Sequence, residues 1–168
     1  MIKKYTYIRL LTYSLLLTCF YSVKAQINIR THLWDNKKQK FIPHIYLSKS
    51  PIPNGFDEND IHYHGGTAIA IEAGLLSKKE IETVNRQMIE NVRRSGMPSI
   101  GLTIYPAYPE GLFRGGMSKS WIYQNGGDWT WFGGRMIQQL IANGFIKEAY
   151  EEVRPMIDRV IKNKGFYE

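Results

Sequence analysis

Two stretches of this 168-residue chain concentrate side chains able to do chemistry on a polyhydroxylated ligand. The first runs Trp121-Ile122-Tyr123-Gln124-Asn125-Gly126-Gly127-Asp128-Trp129-Thr130-Trp131 and sets three tryptophans, a tyrosine, two amides and a carboxylate at the start of an apolar helical pattern. Flat aromatic faces suit the C–H face of a sugar, and amides and carboxylates suit its rim of hydroxyls. The second, Phe56-Asp57-Glu58-Asn59-Asp60-Ile61-His62-Tyr63-His64-Gly65-Gly66, offers three carboxylates and two imidazoles before another helical pattern.

Hydrolysis of a glycosidic bond generally requires two carboxyl groups flanking it. Asp57, Glu58, Asp60, Glu72 and Asp128 are the available acids, with Asp128 and Asp60 as the catalytic candidates. Tyr63, His64, Trp121, Tyr123, Gln124, Asn125, Trp129 and Trp131 are the candidate substrate-binding residues. The competing reading of Asp128 is a helix N-cap, and that of the tryptophans is plain core. His62 and His64 make a poor metal pair, because i,i+2 spacing splays them and no further His or Cys completes a ligand set. No cofactor is expected. The chain has no phosphate-cradling Gly-rich loop followed by Lys-Ser/Thr, no G-x-S-x-G elbow and no H-E-x-x-H, so nucleotide and acyl-transfer chemistry lack support.

The elements that position these residues repeat. Ile61, Thr67, Ala68, Ile71 and Leu75 recur at helical spacing up to Gly74, and Ser77-Lys78-Lys79-Glu80 matches a capping box that opens a longer amphipathic helix closed by Ser95-Gly96. After a Gly/Pro/aromatic loop from Met97 to Gly127, the design returns. Trp129, Phe132, Met136, Ile137, Leu140 and Ile141 form one apolar stripe. A second helix runs from about Ile146 to Lys164, with Ala149, Val153, Met156, Ile157, Val160 and Ile161 inward, Pro155 as a kink and Gly165 as C-cap. His64-Gly65-Gly66 corresponds to Phe132-Gly133-Gly134. Glycines early in a helix each cost about 1 kcal/mol against alanine, so a close approach must justify them. The equivalent placement of Tyr63 and Trp129 predicts that both aromatic loops share one side of the helical layer. Towards the N-terminus, Phe41-Ile42-Pro43-His44-Ile45-Tyr46-Leu47 reads as a short strand or hairpin, at a sheet edge because of Pro43.

Residues 1–25 read as a signal peptide: Lys3, Lys4 and Arg9, an apolar run from Leu10 to Tyr21, and Val23-Lys24-Ala25 as the cleavage site. The run is shorter than the roughly 20 residues of a membrane-spanning helix. Export to the periplasm or beyond is therefore expected, and a lipoprotein anchor at Cys19 is the alternative. The segment carries four of the 22 basic residues and no acid, which leaves 18 against 15 and a mature charge of +3 in place of +7. That balance gives no reason to expect nucleic acid as a partner, and no membrane partner is expected once the signal is removed. Cys19 is the only cysteine, so the mature part has no disulfide.

The segment Tyr123-Gln124-Asn125-Gly126-Gly127-Asp128-Trp129 resembles the Tyr-x-Asn-Gly-Gly-x-Trp signature of six-hairpin glycosidases, the (α/α)6-toroid hydrolases and phosphorylases. Tyr63-His64-Gly65-Gly66-Thr67-Ala68, Leu33-Trp34-Asp35 and Phe41-Ile42-Pro43-His44 also resemble pieces of that superfamily. The resemblance implies a mainly α fold, with residues 26–168 forming two αα-hairpins of an incomplete toroid and a short β-hairpin near the mature N-terminus. It also implies a carbohydrate substrate bound where the inner helices begin. Two hairpins of an expected six would leave lateral faces that call for further hairpins or self-association. The rival expectations are a helical-repeat glycan- or protein-binding module without chemistry, and an inactive truncated reading frame.

Overall fold

The computed structural model describes residues 23–50, 52, 55–115 and 118–166. Contacts divide the chain into two units, Met1–Trp34 and Asp35–Glu168. In the first, residues 23–33 form helix α1, and the Arg30 guanidinium lies over the Trp34 ring, 5.1 Å from its centroid. Most of the expected signal segment and Cys19 lie outside the described residues, and the expected cleavage point after Ala25 falls within α1. No helix among the described residues is long and apolar enough to cross a membrane.

Asp35 of the two-residue strand β1 (Trp34–Asp35) opens the second unit, and β1 forms a two-stranded sheet with β2 (Lys40–Phe41). The Asp35 carboxylate makes the turn by accepting the N–H groups of Lys37 and Lys38 at 2.8 and 2.9 Å. The strand expected from Phe41 to Leu47 is confined to its first residue, and Pro43 lies beyond it.

The second unit is mainly helical. A single 3-10 turn (Glu58–Asp60), capped by the Asp57 side chain, leads into β3 (His62–Tyr63), which pairs antiparallel with β4 (Ile104–Tyr105). Helix α2 (His64–Glu72) starts three residues later than the apolar spacing suggests. Ile61 is instead fully buried with Ile104 and Tyr108, packed against Phe56, Tyr63 and Phe113, and strand pairing holds this stretch extended. Helix α3 (Lys78–Ser95) opens with the predicted Ser77/Glu80 capping box and closes at Gly96 in the left-handed conformation. Helices α4 (Thr130–Ala142) and α5 (Ile146–Asn163) follow the long loop.

Helix α4 packs on both α2 and α5, while α3 packs on α2. The two predicted hairpins therefore meet through α2 and α4. Pro155 is accommodated inside α5, and the left-handed cap is Lys164 rather than Gly165. The inward face of α5 is narrower than its apolar pattern: Ala149 and Met156 are buried, Val153 and Val160 partly so, and Ile157 and Ile161 are exposed. Ile141 at the end of α4 is exposed as well. Among the described residues, nothing covers that side.

Candidate functional site

The starts of α2 and α4 are joined through one short extended segment, residues 101–105. His64 N–H donates to the Thr103 carbonyl at 3.0 Å, Thr103 N–H to that of Gly127 at 2.9 Å, and Trp129 N–H to that of Gly101 at 2.7 Å. The arrangement places both helix N-termini side by side, with Tyr63 and Trp129 at the equivalent N-cap positions. The two aromatic loops thus share a side, as their placement in the repeat predicts. The first glycine of each pair has a steric reason. A Cβ on Gly65 would stand 2.3 Å from the Phe132 ring, and one on Gly133 would stand 2.8 Å from the Met156 sulfur. Gly66 and Gly134 have room for a methyl group, so the fold alone does not require them.

The loop before α4 is built around Asn125, which is fully buried. Its carbonyl accepts Tyr108 N–H at 2.7 Å, and its amide donates to the carbonyls of Tyr108 and Lys119. Asn125 is therefore a clamp within the loop rather than a group facing a ligand. Trp121 and Tyr123 have positive φ, 69° and 48°, in the left-handed region that side chains larger than glycine enter at a cost. Loop closure holds them there: Trp121 N–H donates to the Asn125 carbonyl at 2.7 Å, and Gly127 N–H to that of Tyr123 at 3.0 Å. Any Cβ on Gly127 would meet the Tyr123 carbonyl oxygen at 2.5 Å.

The strained backbone displays its rings. Trp121 is 40% exposed, Tyr123 44% and Trp131 53%, and Gln124 is exposed beside them. Trp129 is partly buried, stacked on Phe132 at 5.6 Å and edge-on to Tyr123 at 5.0 Å. The Arg135 guanidinium lies 4.9 Å from the Trp131 ring centroid and also pairs with Glu72 of α2 at 2.6 Å. Trp121, Tyr123, Met97, Pro98, Asp128 and Arg159 line a cavity of about 430 Å3.

Asp128 is 3% exposed and does not cap α4, whose N-cap is Trp129. Its carboxylate accepts Ser99 N–H at 2.8 Å and the Ser99 hydroxyl at 2.7 Å, and it pairs with Arg159 of α5 at 2.9 Å. Burial pushes its carboxyl above the usual value, opposed by Ser99 and Arg159. Arg159 also donates to the Asp128 carbonyl and the Thr130 hydroxyl, so it fastens α5 to the start of α4. Asp60, the other expected catalytic acid, has a largely exposed side chain bonded to Lys38 at 2.6 Å, and that bond holds its carboxyl below the usual value.

His64 is buried, with Nε2 at 3.1 Å from the Asn91 amide and Nδ1 without a hydrogen-bond partner. Burial lowers its pKa to about 3, with a smaller push from His62. His62 is lowered to about 4, chiefly by burial and then by Lys40. Both rings are neutral at ordinary pH. Among the described residues, no group of three or more His, Cys, Asp or Glu side chains could hold a metal ion.

Glu58, one of the five acids available from the sequence but passed over there for Asp128 and Asp60, is buried and accepts the hydroxyls of Tyr108 and Tyr46, each at 2.7 Å. Tyr108 in turn shares a 2.6 Å hydrogen bond with Tyr63, which links Glu58 to the start of α2. His44 Nε2 lies 3.5 Å from the same carboxylate, and Glu58 lines a cavity of about 720 Å3 with His44, Tyr46, Ser50 and Phe56. Sequence alone does not distinguish Glu58 from Asp57 and Asp60, because the 3-10 turn decides which acid points inward.

No family model matches this chain, and no curated protein or solved structure does either.

Proposed function

We propose that the chain is an exported carbohydrate-acting protein, a glycoside hydrolase or a segment of one, whose glycan surface is the shared mouth at the starts of α2 and α4. The observation that carries this reading is the pair Trp121 and Tyr123, held in left-handed backbone and displayed beside Trp131 at the start of α4. Backbone strain concentrates where function requires it, and rigid exposed aromatic faces suit sugar rings. Gln124 supplies a hydroxyl-binding amide, whereas Asn125 and Asp128 act by holding the loop. Among the available acids, Glu58 combines burial, a cavity and a hydroxyl relay to Tyr63 at the start of α2. It fits a proton-transfer role better than Asp128 or Asp60. Carboxylate chemistry of this kind uses no cofactor.

A second reading, a glycan-binding module without chemistry, is favoured by the commitment of Asp128 to Ser99 and Arg159. The test is titration of the chain with a panel of neutral oligosaccharides, followed by tryptophan fluorescence. Trp121→Ala and Tyr123→Ala should each weaken binding about tenfold or more while leaving the helical circular dichroism unchanged. Binding that ignores both substitutions would remove the mouth from consideration. Glycosidic cleavage that Glu58→Gln abolishes would favour the hydrolase over the binding module.

A further inference from the structure

On the second unit, away from the aromatic loop, Lys40 of β2 is 3% exposed. Its ammonium has three N–H donors, and its hydrogen bond to protein goes to the Ile61 carbonyl. Among the described residues no carboxylate lies within ion-pair distance of it; Asp60, itself held by Lys38 at 2.6 Å, and Asp35 and Asp57 attract it only from farther away. A buried cation without a contacting counter-ion is unfavourable, and the usual resolutions are a paired anion or loss of the charge.

The space beside Lys40 favours the first. A cavity of about 450 Å3 is lined by Lys38, Lys40, Arg86 and Arg94 together with His62. Its two acids are already matched, Asp60 with Lys38 and Glu90 with Arg94 at 2.8 Å, which leaves Lys40 and Arg86 in excess. Among the described residues, the Arg86 guanidinium makes only a long 3.4 Å bond to the Thr83 hydroxyl on its own helix. Gln87 and Asn91 add amides to the wall.

We propose that this cavity is an oxyanion site, in which Lys40 and Arg86 bind a phosphate, sulfate or carboxylate group, either free or as a substituent of a sugar. The site stands independently of the glycan reading, because it uses none of the aromatic residues of the mouth.

Protonation provides a signature. Burial, then repulsion by Lys38, lowers the Lys40 pKa from 10.5 to about 8. A bound anion favours the charged form and raises that pKa again. Above pH about 8, up to the raised pKa of the bound state, binding therefore takes up a proton, and affinity falls as pH rises through about 8. Of the other groups acting on Lys40, Lys38 is held in its charged form by Asp60, Asp60 in its ionised form by Lys38, and His62 is neutral. Asp60, Asp35 and Asp57 favour the charged ammonium from a distance, and Arg86, Glu90 and Arg94 complete the charged lining.

The experiment is titration of the full chain with sodium phosphate and sodium sulfate at ionic strength held constant with sodium chloride, read by nuclear magnetic resonance of the Lys40 and Arg86 side chains. Saturable 1:1 shifts are expected, weakened about tenfold or more by Lys40→Met and by Arg86→Ala. Isothermal calorimetry in buffers of different ionisation enthalpy should show proton uptake at pH 9 that Lys40→Met removes. Equal shifts with sodium chloride alone, or wild-type phosphate affinity in Arg86→Ala, would overturn the proposal. Arg86 is exposed, so its variant decides the matter even if Lys40→Met fails to fold. A sugar phosphate or uronate that binds more tightly than inorganic phosphate or acetate, respectively, would assign a sugar substituent. Equal affinity would assign the free ion.

Discussion

Asp128 shows how a residue at a helix start acquires a role from partners far along the chain. Its carboxylate reaches Ser99, 29 residues earlier, and Arg159 of α5, so it joins three segments at the mouth. Replacing it with asparagine keeps an acceptor for one Ser99 donor but turns a second group into a donor facing the largely buried Arg159. Breaking one side of a buried pair typically costs more than the pair contributes, because the remaining charge is left unmatched. Asp128→Asn is expected to lower stability by about 3 kcal/mol in urea unfolding at pH 7. The double variant Asp128→Asn/Arg159→Met should recover part of that loss. A loss below about 1 kcal/mol, the magnitude expected of a simple helix cap, would contradict the clamp. The sequence locates Asp128 at the start of a helix pattern but cannot show that its partners lie at Ser99 and Arg159. The same limit hides Glu58, whose hydroxyl donors come from Tyr46 and Tyr108, 12 and 50 residues away.

Secondary structure was legible where local chemistry decides it. The Ser77/Glu80 capping box and the Gly96 stop lie within a few residues of the groups they satisfy, and α3 has the start and end that they predict. Where distant pairing decides, local signals fail: Ile61 fits the apolar spacing of α2 yet belongs to the strand side of the β3–β4 pair. The repeated Gly-Gly pairs lie between these cases, since their positions are visible in the sequence and their reasons are not. Gly65 lets α2 and α4 approach, whereas Gly134 faces open space. Gly65→Ala should therefore destabilise by about 2 kcal/mol, as the Phe132 ring is displaced. Gly134→Ala should stabilise by up to about 1 kcal/mol through better helix propensity. Thermal or urea unfolding of the two variants checks the contrast. A destabilising Gly134→Ala would mean that an unseen neighbour approaches that surface.

At the scale of the second unit, the unequal burial of the two hairpins sets its behaviour in solution. Helix α4 is held between α2 and α5, but α5 has one covered side only. Ile146, Tyr150, Ile157 and Ile161 lie at spacings of four, seven and four, so they form a single stripe along α5, and Ile161 is 69% exposed. Exposed Ile141 and Trp131 on α4 enlarge the apolar surface. Soluble monomers seldom leave a contiguous patch larger than a few hundred Å2, so a stripe of four large side chains favours association. The six-hairpin reading accounts for the stripe as the face that a further αα-hairpin would cover. A second copy of the chain would satisfy it as well. Residues 26–168 are therefore expected to sediment with concentration-dependent mass. Ile157→Lys/Ile161→Lys should give a monomer with unchanged helical circular dichroism, because those side chains contribute little to the covered side. Lysine also disfavours the stacking of like stripes by placing four charges on the face of a dimer. A wild-type chain that stays monomeric across the micromolar range would show that the stripe is tolerated, and the case for a covering hairpin would lose its physical motive.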